Sequence, residues 1–420
     1  MAATLDLTQC RQAAAEILQR CEQLATLTAV RGKIDRRYLT AEHKACNAEV
    51  KQWMQQGGLR PWQDEAGNIC GSLPGRDASA GTLLVGSHLD SVPDAGKYDG
   101  ILGVVLPITA LRLLSEHGEH FPFAIDVIGF ADEEGSRFGT TLLGSRAAAG
   151  SWRQDWFALQ DTAGISLKDA LVEFGCDATA ISRASRAADK LVGYLEIHIE
   201  QGPVLEAADL PVGVVTSIAG ARRYVIDIVG QAGHAGTVPM PLRKDALVAA
   251  AKLVLLIEQV ACKHDVVATV GKLECAPGAP NVIPGNVRMT LDIRSGLDPQ
   301  RDAALQEIRD AAELLIAANG CTAAWKETHN AGAVGCALWM QDVCADAIKA
   351  VGYEPLALLS GAGHDAMAFK GVCDIGMLFV RCLGGISHHP DESITLEDTA
   401  IALQTFCETL LQLRKRITSV

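Results

Sequence analysis

The hydrophobic pattern along the chain switches between two periods. Residues 8–26 and 41–55 repeat apolar positions at helical spacing, whereas TLLVGS at 82–87, FAIDVIGFA at 123–131 and LVGYLEIHIE at 191–200 are short, near-continuous apolar runs. Runs of that kind mark strands buried on both faces, and a helical stretch from about Gly100 to His117 separates the first two. Strands alternating with helices predict an α/β fold, with a mostly parallel mixed sheet covered on both sides.

Between about 214 and 330 the pattern changes. Arg223 to Val229 alternates polar and apolar residues. A helix is expected from Pro241 to about Cys262 with Pro241 in its first turn, then strands at 266–275 and 286–294. A second helix runs from Asp298-Pro299 to Asn319, and a short strand at 321–325 completes a β-α-β-β-α-β order, that of a ferredoxin-like split motif. The apolar run at 375–380 resumes the first pattern. The expectation is one α/β domain in two parts, 1–213 and 331–420, interrupted by an inserted α+β domain at 214–330.

Composition narrows the classes. With 420 residues, 49% hydrophobic and 21% charged, the chain can bury a large core. Its 37 basic and 50 acidic residues leave a net charge of -13, a surface unsuited to nucleic acid or anionic membranes. None of the 13 cysteines forms a CxxC pair, so they read as core residues of a reducing compartment. The beginning of the chain carries no secretory pattern, and the most apolar segments are broken by Pro107, Arg112, Lys252 and Glu258. A cytoplasmic protein is expected.

The chemistry gathers in turn-like stretches after the apolar runs. GSHLDSVPDAGKYDG carries His88, Asp90 and Asp99, and in the H-x-D arrangement the Asp90 carboxylate can hold the second N–H of the imidazole. FADEEGSRFG carries Glu133 and Glu134, neighbours that can point different ways so that one ligates metal and the other moves protons. LEIHIEQGPVLE supplies His198, GISHHPDE supplies His388 and His389, and GHAGTVPM places His234 in the inserted domain. A lone His is more often hydrogen-bonded or solvated than a ligand. Five such candidates at strand ends point together to bound metal.

These segments, with SGAGHDA at 360–366, resemble the M20 metallopeptidase and amidohydrolase family over essentially the whole chain. They are most similar to its branch of N-carbamoyl-L-amino-acid hydrolases, allantoate amidohydrolases and β-ureidopropionases, because peptide-cleaving relatives usually carry a carboxylate where His198 stands. The resemblance implies two divalent cations, zinc, manganese, cobalt or nickel, with Asp99 shared, His88 and His198 at one site, and Glu134 and His388 at the other. The sequence leaves His389 as the alternative to His388; the position after Ser387 is the one that matches the family motif. Glu133 would then be the general base.

The resemblance further implies a homodimer in which the inserted domain acts as lid and dimerisation domain, and His234 stabilises the tetrahedral intermediate of the neighbouring subunit. Arg294, in the alternating strand NVRMTLDIRS, would grip a substrate carboxylate. Asn281, Gln201 and the loop from Gly361 to His364 would supply further substrate contacts. The expected activity is hydrolysis of the terminal ureido C–N bond of a small N-carbamoyl acid, an N-carbamoyl-L-amino acid first, giving amino acid, ammonia and carbon dioxide. Allantoate amidohydrolase and β-ureidopropionase are the alternatives. An aminoacylase or dipeptidase fits His198 less well, and a non-catalytic metal-dependent binding protein would have no use for Glu133.

Overall fold

The computed structural model describes residues 5–418. They divide into two compact units, one built from the chain up to Thr216, Cys336–Leu358 and the chain from Ala362 onward, the other from Ser217–Gly335 and Leu359–Gly361.

At the centre of the first unit, the strands Ala124–Phe130, Thr82–His88, Leu191–Ile199 and Ile375–Val380 lie side by side in that order and run parallel. Beyond their first one or two residues they are buried throughout, which is why their sequences read as apolar runs rather than alternations. Pairing turns antiparallel outside this centre: the hairpin Arg60–Gln63 and Ile69–Leu73 flanks Ala124–Phe130, and Val212–Ile218 flanks Ile375–Val380. The sheet is therefore mixed, with a parallel core. Helices Leu7–Ala25, Leu102–Glu116, Leu338–Ala350 and Leu396–Thr418 share one large apolar cluster with strand residues such as Leu83, Val85, Leu195 and Ile197. Another contact layer stacks Tyr194 on Phe369, ring centroids 4.6 Å apart, with Phe130 beside both.

Parallel strands bring their carboxyl ends to one edge. His88 is in register with Phe130, and His198 with Phe379, so the loops that leave these strands emerge together. Arg36, 2% exposed, braces this edge. Its guanidinium donates to the Leu89 carbonyl at 2.7 Å, to Leu24 at 2.7 Å and to Leu27 at 3.2 Å, tying the end of the first helix to the residue after His88.

In the second unit the strands Leu273–Ala276, Asn286–Ser295, Gly220–Val229 and Thr322–Ala331 form an antiparallel sheet in that order, with Val267–Thr269 also paired to Asn286–Ser295. Helices Ala246–His264 and Asp298–Ala318 pack on the face that carries Val287, Met289, Leu291 and Ile293, each at most 1% exposed. The alternation in NVRMTLDIRS thus sends Arg288, Asp292 and Arg294 to the opposite face.

Four details differ from expectation. Pro241 lies in a short 3-10 turn, Met240–Leu242, and the helix begins at Ala246, where the Asp245 carboxylate accepts from Leu247 N at 3.0 Å and Val248 N at 3.1 Å. That side-chain cap, not the proline, sets the start. The strand expected at 266–275 is two strands with Gly271 between them. The strand expected at 321–325 extends to Ala331, because an exposed edge strand is polar on both faces and shows no period. The hairpin around Asp64–Asn68 was not anticipated. Among the described residues no helix is long and apolar enough to cross a membrane, and all thirteen cysteines are free thiols.

Replacing Arg36 with Leu leaves the Leu89 and Leu27 carbonyls without this donor, while Leu24 keeps its bond from Leu27 N. Urea unfolding should show a loss of about 2 kcal/mol, at roughly 1 kcal/mol or more per orphaned buried acceptor.

Candidate active site

Asp99 is the point on which the loops converge. It sits between the Thr82–His88 strand and the helix Leu102–Glu116, 6% exposed, and three imidazoles face its carboxylate. His88 Nε2 is 3.4 Å and His198 Nε2 3.1 Å from Oδ1, while His388 Nε2 is 3.1 Å from Oδ2 and 3.3 Å from Glu134 Oε1. His389 points elsewhere: its Nδ1 accepts from Asp391 N at 3.2 Å and its ring is exposed. Of the two adjacent histidines, His388 is the one in the cluster. Its backbone adopts φ 54°, a left-handed conformation that a non-glycine residue holds only where the surroundings impose it.

The tautomers follow from the backbone. His198 Nδ1 lies 2.8 Å from the Ile199 carbonyl and so donates, while its Nε2 accepts from Gly100 N at 3.1 Å. The same Nε2 is 3.1 Å from Asp99 Oδ1, and the Asp99 carboxylate raises the His198 imidazole against the effect of its burial. His88 Nδ1 is 3.1 Å from the Asp90 carbonyl and 3.5 Å from the Asp90 carboxylate, so the carbonyl is the nearer acceptor. The Asp90 carboxylate, which lies beside the His88 ring as expected, also accepts from Glu133 N at 2.9 Å and Glu134 N at 3.2 Å and locks the two acidic residues to the His88 loop.

Electrostatics fit this geometry. Burial alone would raise the Asp99 carboxyl, but the His198, His388 and His88 imidazoles that face it hold it well below the usual carboxylate range. Hydrogen bonds to Asp99 and Glu134 push His388 up to about 10. Burial lifts the Glu133 carboxyl well above an ordinary glutamate; His88 opposes the shift, while Glu134, Asp365 and Asp90 add to it. His364, stacked edge-on to His198 with centroids 4.6 Å apart, is lowered well below the imidazole value by burial and stays neutral.

Three sets of donors can hold a metal ion, with ligand atoms within 4.8 Å of one another: His88, Asp99 and His198; Asp99, Glu134 and His388; and His88, Glu133 and Glu134. Mixed imidazole and carboxylate donors suit zinc and its first-row neighbours more than calcium. The buried, charge-demanding Asp99 cluster is a donor set that such a cation fits.

The other residues singled out divide between the units. Gln201 donates from Nε2 to Asp99 Oδ2 at 3.0 Å and to Ser387 Oγ at 3.1 Å, so its amide nitrogen is held inside the cluster. A Cβ on Gly363 would lie 3.3 Å from Glu133 Oε1, which places this loop against the acid. In the second unit, Arg294 donates to Asp292 through Nε at 2.8 Å and Nη2 at 2.9 Å, and through Nη1 to the Gly361 carbonyl at 2.7 Å. These groups border a cavity of about 570 Å³ that also includes Arg223, Val267, Thr290 and Leu359. His234 and Asn281 sit together on a two-stranded ribbon in which Val282 pairs with His234 and the Asn281 carbonyl accepts from Ala235 N at 3.0 Å. Two contributors escaped the sequence reading: Ser387 was used only to mark its neighbour, and Glu392, the last letter of GISHHPDE, had no assigned part.

Acids and imidazoles gathered at the carboxyl ends of parallel strands, with a further carboxylate beside them, form a site for activating water and define a hydrolase. Residues 84–412 match peptidase family M20/M25/M40, and the chain belongs to that family, as its motifs imply. It is 39% identical over 383 residues to an N-carbamoyl-L-amino acid amidohydrolase of Geobacillus stearothermophilus, covering 91% of this chain and 94% of that one. It is 37% identical over 436 residues to allantoate deiminase 2 of Glycine max, covering 94% and 89%. The crystal structure of an amidase of the hydantoinase/carbamoylase family from Burkholderia multivorans superposes with a TM-score of 0.89 at 31% identity, covering 96% of this chain and 98% of that one. With such relatives the protein is a hydrolytic enzyme acting on C–N bonds.

Because His388 carries a proton in the metal-free protein at neutral pH, a divalent cation binding there must displace it. Calorimetric titration of the stripped protein with Mn²⁺ in two buffers of different ionisation enthalpy should show proton release. The release should diminish as pH rises toward 10, and a buffer-independent heat at pH 7 would contradict it.

Proposed function

We propose that the protein hydrolyses the terminal ureido C–N bond of a small N-carbamoyl acid, an N-carbamoyl-L-amino acid first, using two divalent cations. His88, Asp99 and His198 would hold one cation, and Asp99, Glu134 and His388 the other. The observation that carries this reading is the Asp99 carboxylate faced by three imidazole nitrogens at 3.1 to 3.4 Å, with Glu134 beside the third. When bound, such a pair of ions lowers the pKa of a water from about 15.7 toward 7 and polarises the carbonyl under attack.

Glu133 takes the water's proton and passes it to the departing nitrogen. Cleavage releases ammonia, and the remaining carbamate falls apart into amino acid and carbon dioxide. Gln201 Oε1 is buried without a hydrogen-bond partner among the described residues, which suits it to accept from a ureido N–H. Three of the five N–H groups of Arg294 are used by Asp292 and Gly361, leaving two for a substrate carboxylate. His364 and Asn281 are the further polar contacts that the family resemblance implies.

His234 is exposed, and its Nδ1 accepts from Gly236 N at 3.1 Å, so the proton sits on the outward Nε2. That donor suits the oxyanion of a tetrahedral intermediate in a neighbouring subunit. A homodimer through the second unit is supported by its exposed ten-residue strand Thr322–Ala331 at the edge of the sheet, a position from which a strand can be extended by a second copy. Allantoate is the second reading for the substrate, since the similarity to the Glycine max deiminase is nearly as high as that to the Geobacillus enzyme.

Ammonia release by metal-reconstituted enzyme, compared across N-carbamoyl-L-amino acids, N-carbamoyl-β-alanine and allantoate, should be fastest with an N-carbamoyl-L-amino acid. No turnover of any of them with metal bound would reject the reading. Mixing inactive His234→Ala and Glu133→Gln subunits should restore about a quarter of wild-type activity, because half the dimers are mixed and each then holds one intact site. Recovery no higher than either parent would exclude sharing across the dimer.

A further inference from the structure

Glu392 is 2% exposed, lies four residues past His388, and belongs to none of the candidate donor sets. Its Oε1 accepts from Tyr98 N at 2.8 Å and Asp99 N at 3.1 Å, and its Oε2 accepts from Ser387 Oγ at 2.9 Å. One carboxylate therefore grips the backbone of the loop bearing Asp99 and the side chain next to His388, across 293 positions of sequence. The Ser387 hydroxyl is itself 3.2 Å from Asp99 Oδ2, and Gln201 Nε2 reaches both. Glu392 N donates to the His389 carbonyl at 3.0 Å, closing the turn that directly follows His388, itself held at φ 54°. The approach is close enough that a Cβ on Gly96 would overlap the Glu392 carboxyl group.

We propose that Glu392 is a positioning residue: it sets the Asp99 carboxylate against the His388 imidazole and so fixes the ligand pair of one cation without ligating it. A turn held left-handed at a non-glycine residue relaxes when its anchor is removed, and the imbalance would fall on the separation of these two side chains. Groups that orient ligands in this way alter metal affinity by roughly 10- to 100-fold when lost. This inference rests on the two-cation reading above.

The test strips the full-length protein of metal and titrates it with Mn²⁺, following the free ion by electron paramagnetic resonance, beside thermal unfolding of the stripped proteins. Glu392→Ala should weaken Mn²⁺ binding roughly 10- to 100-fold in a stripped protein that still unfolds cooperatively, though at a lower Tm for the loss of three buried hydrogen bonds. Gly96→Ala keeps the acid but pushes it aside, so it should reproduce the loss and carries the test if Glu392→Ala does not fold. Glu392→Gln keeps an acceptor for both backbone amides and a polar group toward Ser387, and should restore most of the affinity. Wild-type affinity in both alanine variants, or a Gln variant as weak as Ala, overturns the positioning role alone. A wild type that binds no Mn²⁺ overturns the cation reading and this inference with it.

Discussion

A carboxylate buried among three imidazoles is the constraint on which the rest of the first unit depends. Taking Asp99, His88 and His198 out of water is unfavourable unless each charge finds its complement, and here they find it in one another. Every loop at this edge of the sheet is shaped by that need. Asp90 ties the two glutamates to the His88 loop, Gln201 and Ser387 close over Asp99, and Arg36 pins the chain just beyond His88. The parallel core explains how segments so distant in sequence meet at all, because it delivers the ends of successive strands to the same edge.

Much of this was legible in the sequence. Strands buried on both faces announce themselves as apolar runs, and the polar residues that follow them are where chemistry can be exposed; His88, Glu133, Glu134 and His198 were found on that basis. His388 was harder, since it follows a 3-10 turn and has a second histidine beside it, and only three dimensions separate the residue that meets Asp99 from the one that turns to Asp391. Glu392 was invisible for a different reason: its work is done on backbone N–H groups, and nothing in the letters of Tyr98 and Asp99 records that their amides need an acceptor. The helix expected at Pro241 failed because proline suits a 3-10 turn as well as a first helical turn, whereas Asp245 carries the cap.

The second unit shows the same division. The alternation in NVRMTLDIRS sorted its two faces correctly, since one face needs burial and the other does not. What periodicity does not carry is the pairing among polar residues on the open face. Asp292 serves both Arg223, at 2.8 Å, and Arg294, so two guanidinium groups share one carboxylate and the face keeps a net positive charge there. Held by Asp292 and the Gly361 carbonyl, the Arg294 guanidinium is oriented in advance and retains little conformational freedom.

The span between Asp99 and the loop of His388 and Glu392 also has a bearing on biosynthesis. These contacts join positions 293 apart, so they cannot close until the segment bearing Glu392 has been made. A nascent polypeptide still attached to the ribosome holds His88, Asp99 and His198 long before the final loop emerges, and has no means of completing the cluster. The full group of acids and imidazoles around Asp99 is thus present only once the segment bearing His388 has been made.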